Sequence, residues 1–328
     1  MRALITGGAG FVGSWLVREL LARGTDVLVL DDLSTGRYEN LEEVEDGRRV
    51  ELVVDTVNDP GIVNECVKQV DLVFHLASAV GVRLIIDQPV RTIESIVGGT
   101  DVVLRACARY RRPVLITSTS EVYGKGSRIP FSEGDDRIMG ATTKRRWSYA
   151  CAKALDEFLA LAHWYESRLP VVIARLFNTV GPRQTGQYGM VVPTFVRQAL
   201  RGEPITVYGD GQQSRCFGHV QDIVTGLADL MACPQARGEI VNVGNDEEVT
   251  IQQLAERVRE QAGSSSDVVL IPYERAYGEG FDDMRRRVPD LRKAARLVDY
   301  RPTRLLHTIL DDVIAYETQQ IETSGPGK

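Results

Sequence analysis

Short apolar runs rich in valine, isoleucine and leucine alternate with longer stretches of helical spacing through the first half of the chain. Residues 2–6, 26–32, 49–54, 70–77, 114–118 and 169–177 read as strands. Residues 11–24, 97–110 and 148–167 read as helices, the first ending on Gly24. Strands buried on both faces read as continuous apolar runs, and helical crossovers between them imply parallel pairing. The expected fold class is therefore α/β, with a doubly wound parallel sheet. From Asn178 onward the pattern loosens: Pro182, Pro193 and Pro204 interrupt it, and helices alternate with short strands. The final stretch TSGPGK reads as disordered.

Composition narrows the classes. The 328 residues are 43% hydrophobic and 26% charged with a net charge of −6, so no overall basic field argues for a nucleic-acid partner. No apolar run reaches membrane-spanning length, and the chain enters its first strand without a leader pattern, so no membrane partner is expected. Cys66, Cys107, Cys151, Cys216 and Cys233 are odd in number, scattered and without C-x-x-C spacing. They read as reduced thiols of a cytoplasmic protein, neither a disulfide framework nor a zinc site. With only four histidines as well, no metal is expected.

Residues 6–13, TGGAGFVG, follow a strand and open a helix. Gly7, Gly10 and Gly13 let the backbone approach a pyrophosphate, and Phe11, Val12 and Gly13 start the helix whose N–H groups would face it. Such a turn can also serve only to pack a helix on a strand. Asp31 favours the binding reading: it ends the second strand, where an acid accepts hydrogen bonds from an adenosine ribose and repels a 2′-phosphate. NAD is thus expected over NADP. Asp32 beside it, Asp55 and Thr56 after the third strand, and Leu76 and Ala77 after the fourth complete the expected cofactor set.

Tyr149 and Lys153 are one helical turn apart and share a face. An ammonium beside a phenol favours phenolate, which would make Tyr149 a base near neutral pH. Upstream, STSEVYG (118–124) places Thr119, Ser120 and Glu121 at the end of an apolar strand.

Together TGGAGFVG, DDLSTG, HLAS, STSEVYG, YACAK, ARLFNTVGPR, TVYGDGQQSRCFGHVQDI and RRVPDLRKA resemble the extended short-chain dehydrogenases/reductases that modify nucleotide sugars. TSTSEVYG, RRWSYACAK and RRRVPDLRKA are most similar to UDP-glucuronate decarboxylases of the UDP-xylose synthase type. The resemblance implies a Rossmann domain over residues 1–177 plus 216–245, and a smaller α/β substrate domain over 178–215 plus 246–328. It implies a UDP-sugar substrate and NAD-dependent decarboxylation of UDP-glucuronate through a 4-keto intermediate, giving UDP-xylose or a UDP-4-keto-pentose.

By the same resemblance Thr119, Glu121, Tyr149, Lys153 and Arg287 are catalytic, with Tyr149 and Lys153 also touching the cofactor. Ser120, Asn178, Val192, Tyr208, Arg215 and Arg287 bind substrate; Arg215 and Arg287 match diphosphate arginines, with the sugar carboxylate as the alternative partner of Arg287. Simple 4-epimerases usually carry a small residue at the Glu121 position, and TDP-sugar 4,6-dehydratases carry an Asp-Glu pair where this chain has Ser120-Glu121. Glu121 acts either as an ionised group that repels the sugar carboxylate or as an acid held protonated by burial. A UDP-hexose or UDP-uronate 4-epimerase, and a non-catalytic nucleotide-binding protein, are the alternatives. The Lys144–Arg146 run reads as a solvated loop. Two stretches depart from the decarboxylase pattern: Ser78–Arg83 replaces a proline-containing loop, and Ile96 stands where an asparagine is common. A homodimer through a four-helix bundle of the 97–110 and 148–167 helices is also implied.

Overall fold

The computed structural model describes residues 1–78, 88–186, 190–273, 275 and 283–324. Residues 79–83 of the Ser78–Arg83 departure, and 325–328 of the tail, lie outside them.

Strands β1 (Arg2–Thr6), β2 (Asp26–Asp31), β3 (Val50–Val54), β4 (Leu72–His75), β5 (Val114–Thr119), β6 (Val171–Leu176) and a late strand, Glu239–Val243, form one sheet. Its order is 3-2-1-4-5-6 followed by the late strand, and every pairing is parallel. Alternation within each strand feeds two cores. Ala3, Ile5, Val27 and Val29 point to one face, where helix α1 (Phe11–Ala22) and the helix Val220–Ala232 cover them. Leu4, Leu28 and Leu30 point to the other, against α2 (Pro60–Lys68) and α3 (Pro89–Tyr110), with α4 (Trp147–Ser167) beyond them over β5 and β6. This is the two-sided burial that the valine-rich runs require. The order reverses between β1 and β4, so the crevice beyond their C-terminal ends is where such sheets bind ligands.

The helices depart from expectation in two places. The helix expected from Val97 begins at Pro89, the N1 position that tolerates proline. Its Gly99 lies so close to Val57 that a Cβ would sit 2.8 Å from a valine methyl, which explains glycine inside a helix. Helix α2 was not expected, yet Asp59 caps it, accepting hydrogen bonds from the N–H groups of Gly61 and Ile62, and Pro60 follows at N1.

The second lobe is smaller. After the two-residue strand β7 (Thr179–Val180), helix α5 (Val191–Leu200) packs Val192, Phe195 and Val196 against β8 (Ile205–Tyr208) and against the later helices Ile251–Gln261 and Leu306–Ser324. Short strands β9 (Ser214–Cys216) and Arg286–Arg287 run parallel, placing Arg215 and Arg287 in register as neighbours. Among the described residues, no helix is long and apolar enough to cross a membrane.

Candidate active site

The nucleotide end is built from backbone. Gly7 has φ of 73°, and a Cβ there would meet the Ala77 nitrogen at 2.8 Å; a Cβ on Gly13 would collide with the Gly7 carbonyl. Helix α1 starts at Gly10 with no side chain capping it, so half-buried Phe11 and Val12 and buried Gly13 offer an uncapped helix start. That start, lined by glycine, fits a dinucleotide pyrophosphate. Asp31 is buried and accepts hydrogen bonds from the N–H groups of Ala9 and Leu33, each at 2.9 Å. Burial raises its pKa, against those two bonds. Asp32 turns to Ser34, accepting its N–H at 2.9 Å. Asp55 accepts the Thr56 N–H at 2.7 Å, and its own N–H reaches the Asp31 carbonyl at 3.2 Å, which brings these two second- and third-strand acids to one sheet edge. The Leu76 and Ala77 N–H groups are tied to Thr6, Leu76 to its carbonyl and Ala77 to its hydroxyl.

At the opposite side, β5 ends on Thr119, which caps the single turn Ser120–Tyr123 by accepting the Glu121 N–H at 3.3 Å. This turns buried Ser120 and Glu121 inward. The Tyr149 phenol hydrogen-bonds Thr119 and is 7% exposed. It packs with Ile96 and Ala152, so the asparagine-to-isoleucine departure puts an aliphatic group beside the phenol. Tyr149 departs from expectation in its ionisation: burial, then the Glu121 carboxylate, pushes its pKa above the ordinary phenol value. Lys153 does not relieve this, because its Nζ is paired with Asp156 Oδ2 at 2.8 Å, both side chains buried.

The larger correction concerns Arg146. Expected in a solvated loop, it is 4% exposed. Neighbouring Trp147 anchors it: the indole is buried with Tyr123 and Phe131 and lies against Gly140, where a Cβ would collide with it. Only Arg145 of the run is exposed, with Lys144 half-buried. Arg146 Nη1 lies 2.8 Å from Glu121 Oε2 and its Nη2 lies 2.6 Å from Asp283 Oδ1. Asp283 Oδ2 pairs with Arg215 Nη2 at 2.9 Å. Arg287 Nη2 is 3.5 Å from Glu121 Oε1, and its Nη1 donates to Asn178 Oδ1 at 3.2 Å. Among the described residues the buried Arg287 Nε has no hydrogen-bond partner, a donor left over for a ligand.

Burial would raise the Glu121 pKa, but Arg146 and Arg287 outweigh it and hold the carboxyl below its ordinary value. The expectation that burial keeps Glu121 protonated is therefore wrong for this site. Asp283 is pulled to about 2 by Arg146, Arg215 and Arg287 against the effect of burial. Arg287, buried and facing Arg215, is pushed down to about 10 and remains a cation at neutral pH. Three guanidinium groups and two carboxylates leave one positive charge in excess, which favours an anionic ligand.

Two expected substrate contacts are less direct. The Val192 side chain is sealed in the second lobe's core at 1% exposure, leaving only its main chain to meet a ligand. Tyr208 ends β8 at 37% exposure, its carbonyl accepting from Gln213 Nε2 at 2.8 Å. Among the described residues, no group of three or more His, Cys, Asp or Glu could hold a metal ion.

The family model described as "NAD dependent epimerase/dehydratase family" matches residues 3–244. A UDP-N-acetyl-alpha-D-glucosaminuronate decarboxylase of Bacillus cytotoxicus is 41% identical over 302 residues, 92% of each chain. UDP-glucuronic acid decarboxylase 1 of Xenopus tropicalis is 36% identical over 324 residues, 98% of this chain and 73% of that protein. The crystal structure of a UDP-glucuronic acid 4-epimerase from Bacillus cereus, in complex with UDP-glucuronic acid and NAD, superposes with a TM-score of 0.88 at 26% identity, covering 98% of this chain and 100% of that one.

Proposed function

We propose that this chain, which belongs to the NAD dependent epimerase/dehydratase family, decarboxylates a UDP-linked uronate through a 4-keto intermediate. The observation that carries the reading is Glu121, a single carboxylate held ionised between Arg146 and Arg287 beside Thr119 and Tyr149. A plain epimerase has no need of such a group.

NAD is the cofactor, and it supplies the hydride acceptor for oxidation at C4. Tyr149 takes the C4 hydroxyl proton, with Thr119 sharing the hydrogen bond. The ketone so formed is β to the C6 carboxylate, so carbon dioxide leaves while electrons flow to the C4 oxygen. Thr119 and Tyr149 hydrogen-bond the developing oxyanion. Arg287 offers its unpartnered Nε to the uronate carboxylate, and Glu121, ionised, repels that carboxylate until it is lost. Lys153, paired with Asp156, would hold the nicotinamide ribose. Arg215 and Arg287 take the diphosphate, with Asn178 and Ser120 beside it, Tyr208 beside the base and the Val192 main chain nearby.

UDP-glucuronate is the substrate read from the motifs. The 41% identical relative is named for a uronate that carries a 2-acetamido group, so C2 is the position at which the two candidates differ. We assign residues 1–177 and 216–245 to dinucleotide binding and 178–215 and 246–328 to the sugar nucleotide. We further propose a cytoplasmic homodimer through α3 and α4. Half-exposed Leu155 and Phe158 on α4 and exposed Val90 on α3 support the interface, and five free cysteines support the location.

The test is incubation with NAD and either UDP-glucuronate or UDP-N-acetylglucosaminuronate, measuring carbon dioxide and following the sugar by NMR. Carbon dioxide with a UDP-pentose or UDP-4-keto-pentose is expected. C4 inversion without carbon dioxide from both compounds would overturn the reading in favour of an epimerase.

A further inference from the structure

Arg215, Asp283, Arg146, Glu121 and Arg287 form a chain of alternating charge, buried except at half-buried Asp283, each member paired to the next at 2.9, 2.6, 2.8 and 3.5 Å in that order. Its two ends are the arginines assigned above to the diphosphate, which lie in register on neighbouring parallel strands. Its middle is a single guanidinium shared by two carboxylates. We propose that Asp283 and Arg146 are positioning residues that couple the diphosphate site to Glu121, so that a bound sugar nucleotide loosens the grip on that carboxylate. The inference rests on the assignment of Arg215 and Arg287 to the diphosphate.

Ligand and carboxylates compete for the same guanidinium groups. A diphosphate that engages Arg215 and Arg287 draws each away from its present carboxylate. Glu121 then loses Arg287 directly. Asp283 loses Arg215 and leans harder on Arg146, the partner it shares with Glu121. Both effects raise the proton affinity of Glu121, which in the free protein is held low by Arg146 and Arg287. Asp283, which also faces it, works in the same sense, since its negative charge disfavours a second one there; the Tyr149 phenol, raised above its ordinary pKa, stays neutral. Glu121 thus becomes a usable proton acceptor only when the sugar nucleotide is in place, and a free site keeps it inert. Arginine is required at 146 because one planar fork reaches two carboxylates, which a lysine ammonium does not reproduce.

The readout is proton uptake on binding. UDP-glucose is the probe, because its diphosphate diester does not titrate near neutral pH. The Tyr149→Phe background with NAD bound keeps the chemistry silent. Calorimetry between pH 4 and 6, in buffers of different ionisation enthalpy, should show proton uptake that is greatest at the acid end and corresponds to an upward shift of about one pH unit in the Glu121 titration. Added Glu121→Gln should abolish the uptake. Asp283→Asn, which keeps shape, and Arg146→Lys, which keeps charge, should each reduce it at least twofold. Circular dichroism and retained UDP-glucose binding confirm folding in each variant. Absence of uptake, or uptake unchanged by Asp283→Asn and Arg146→Lys, overturns the coupling. Absence of carbon dioxide release from the unmodified protein overturns the decarboxylase reading without touching this result.

Discussion

Lys153 Nζ lies 2.8 Å from Asp156 Oδ2, one turn further along the same buried helix face, and the carboxylate offsets the pull of the ammonium on Tyr149. Asp156→Asn should therefore do two things. It removes a carboxylate that raises the Tyr149 pKa, and it releases the lysine charge. The alkaline rise in kcat that follows phenolate formation should move down by about one pH unit. Stability should drop by about 3–5 kcal/mol, because a buried ammonium is left unpaired. A pH–rate profile and a urea titration check both, and an unmoved profile would remove Asp156 from the site.

Asp31 serves the glycine turn as well as any ribose, since it holds the Ala9 and Leu33 N–H groups. The protein should prefer NAD to NADP by at least tenfold, as expected for a carboxylate facing a phosphate. Asp31→Ala should narrow that preference and weaken both dinucleotides, because the turn itself loosens. Fluorescence titration with the two cofactors reads the ratio; equal affinities in the unmodified protein would refute the assignment.

Arg215 and Arg287 should separate in their effects. Arg215→Ala should weaken UDP binding about tenfold or more, the scale of a charge-assisted hydrogen bond, and less at high salt. Arg287→Ala should raise KM for the uronate further than it weakens UDP, because its free Nε is available to the carboxylate. Calorimetry and steady-state kinetics distinguish the two, and unchanged UDP affinity in both variants would move the diphosphate site elsewhere.

His75 predicts an acid sensitivity. Its ring nitrogens reach the Thr6 hydroxyl at 2.7 Å and the Thr100 hydroxyl at 3.1 Å. Burial, with Lys153 nearby, lowers its pKa to about 3. The folded protein keeps it neutral while the unfolded chain protonates it near its ordinary value. Its contribution is therefore complete above about pH 6.5 and is lost as pH falls toward 3. Between pH 7 and 5 the loss should be about 2 kcal/mol. A His75→Gln protein should lose less over that interval in urea unfolding, and an equal loss in both would reject the account.

The parallel sheet was legible because its strands carry one chemistry on both faces, as Leu4 between Ala3 and Ile5 shows. Helix α2 has Asp59 and Pro60 to announce it and Val63, Cys66 and Val67 at helical spacing, but at nine residues it is too short for the pattern to stand out between two strands. Arg146 was missed for a different reason. A run of three basic residues reads as solvated, yet 146, 149, 153 and 156 recur at helical spacing, and that stripe places Arg146 and Asp156 on the face of Tyr149. The position of Asp283 had no local signal at all, since only the folded chain brings its loop between Arg146 and Arg215.

The strand Glu239–Val243 completes the large sheet beside β6, but the ribosome makes it only after the first part of the second lobe. Until then the backbone of Val171–Leu176 is an open edge carrying a run of apolar side chains. A nascent chain halted near residue 178 would expose a ready template for intermolecular pairing. The lobe built on the large sheet therefore cannot be cut out as a contiguous module; it becomes whole only when the chain has left it, built part of its neighbour and come back.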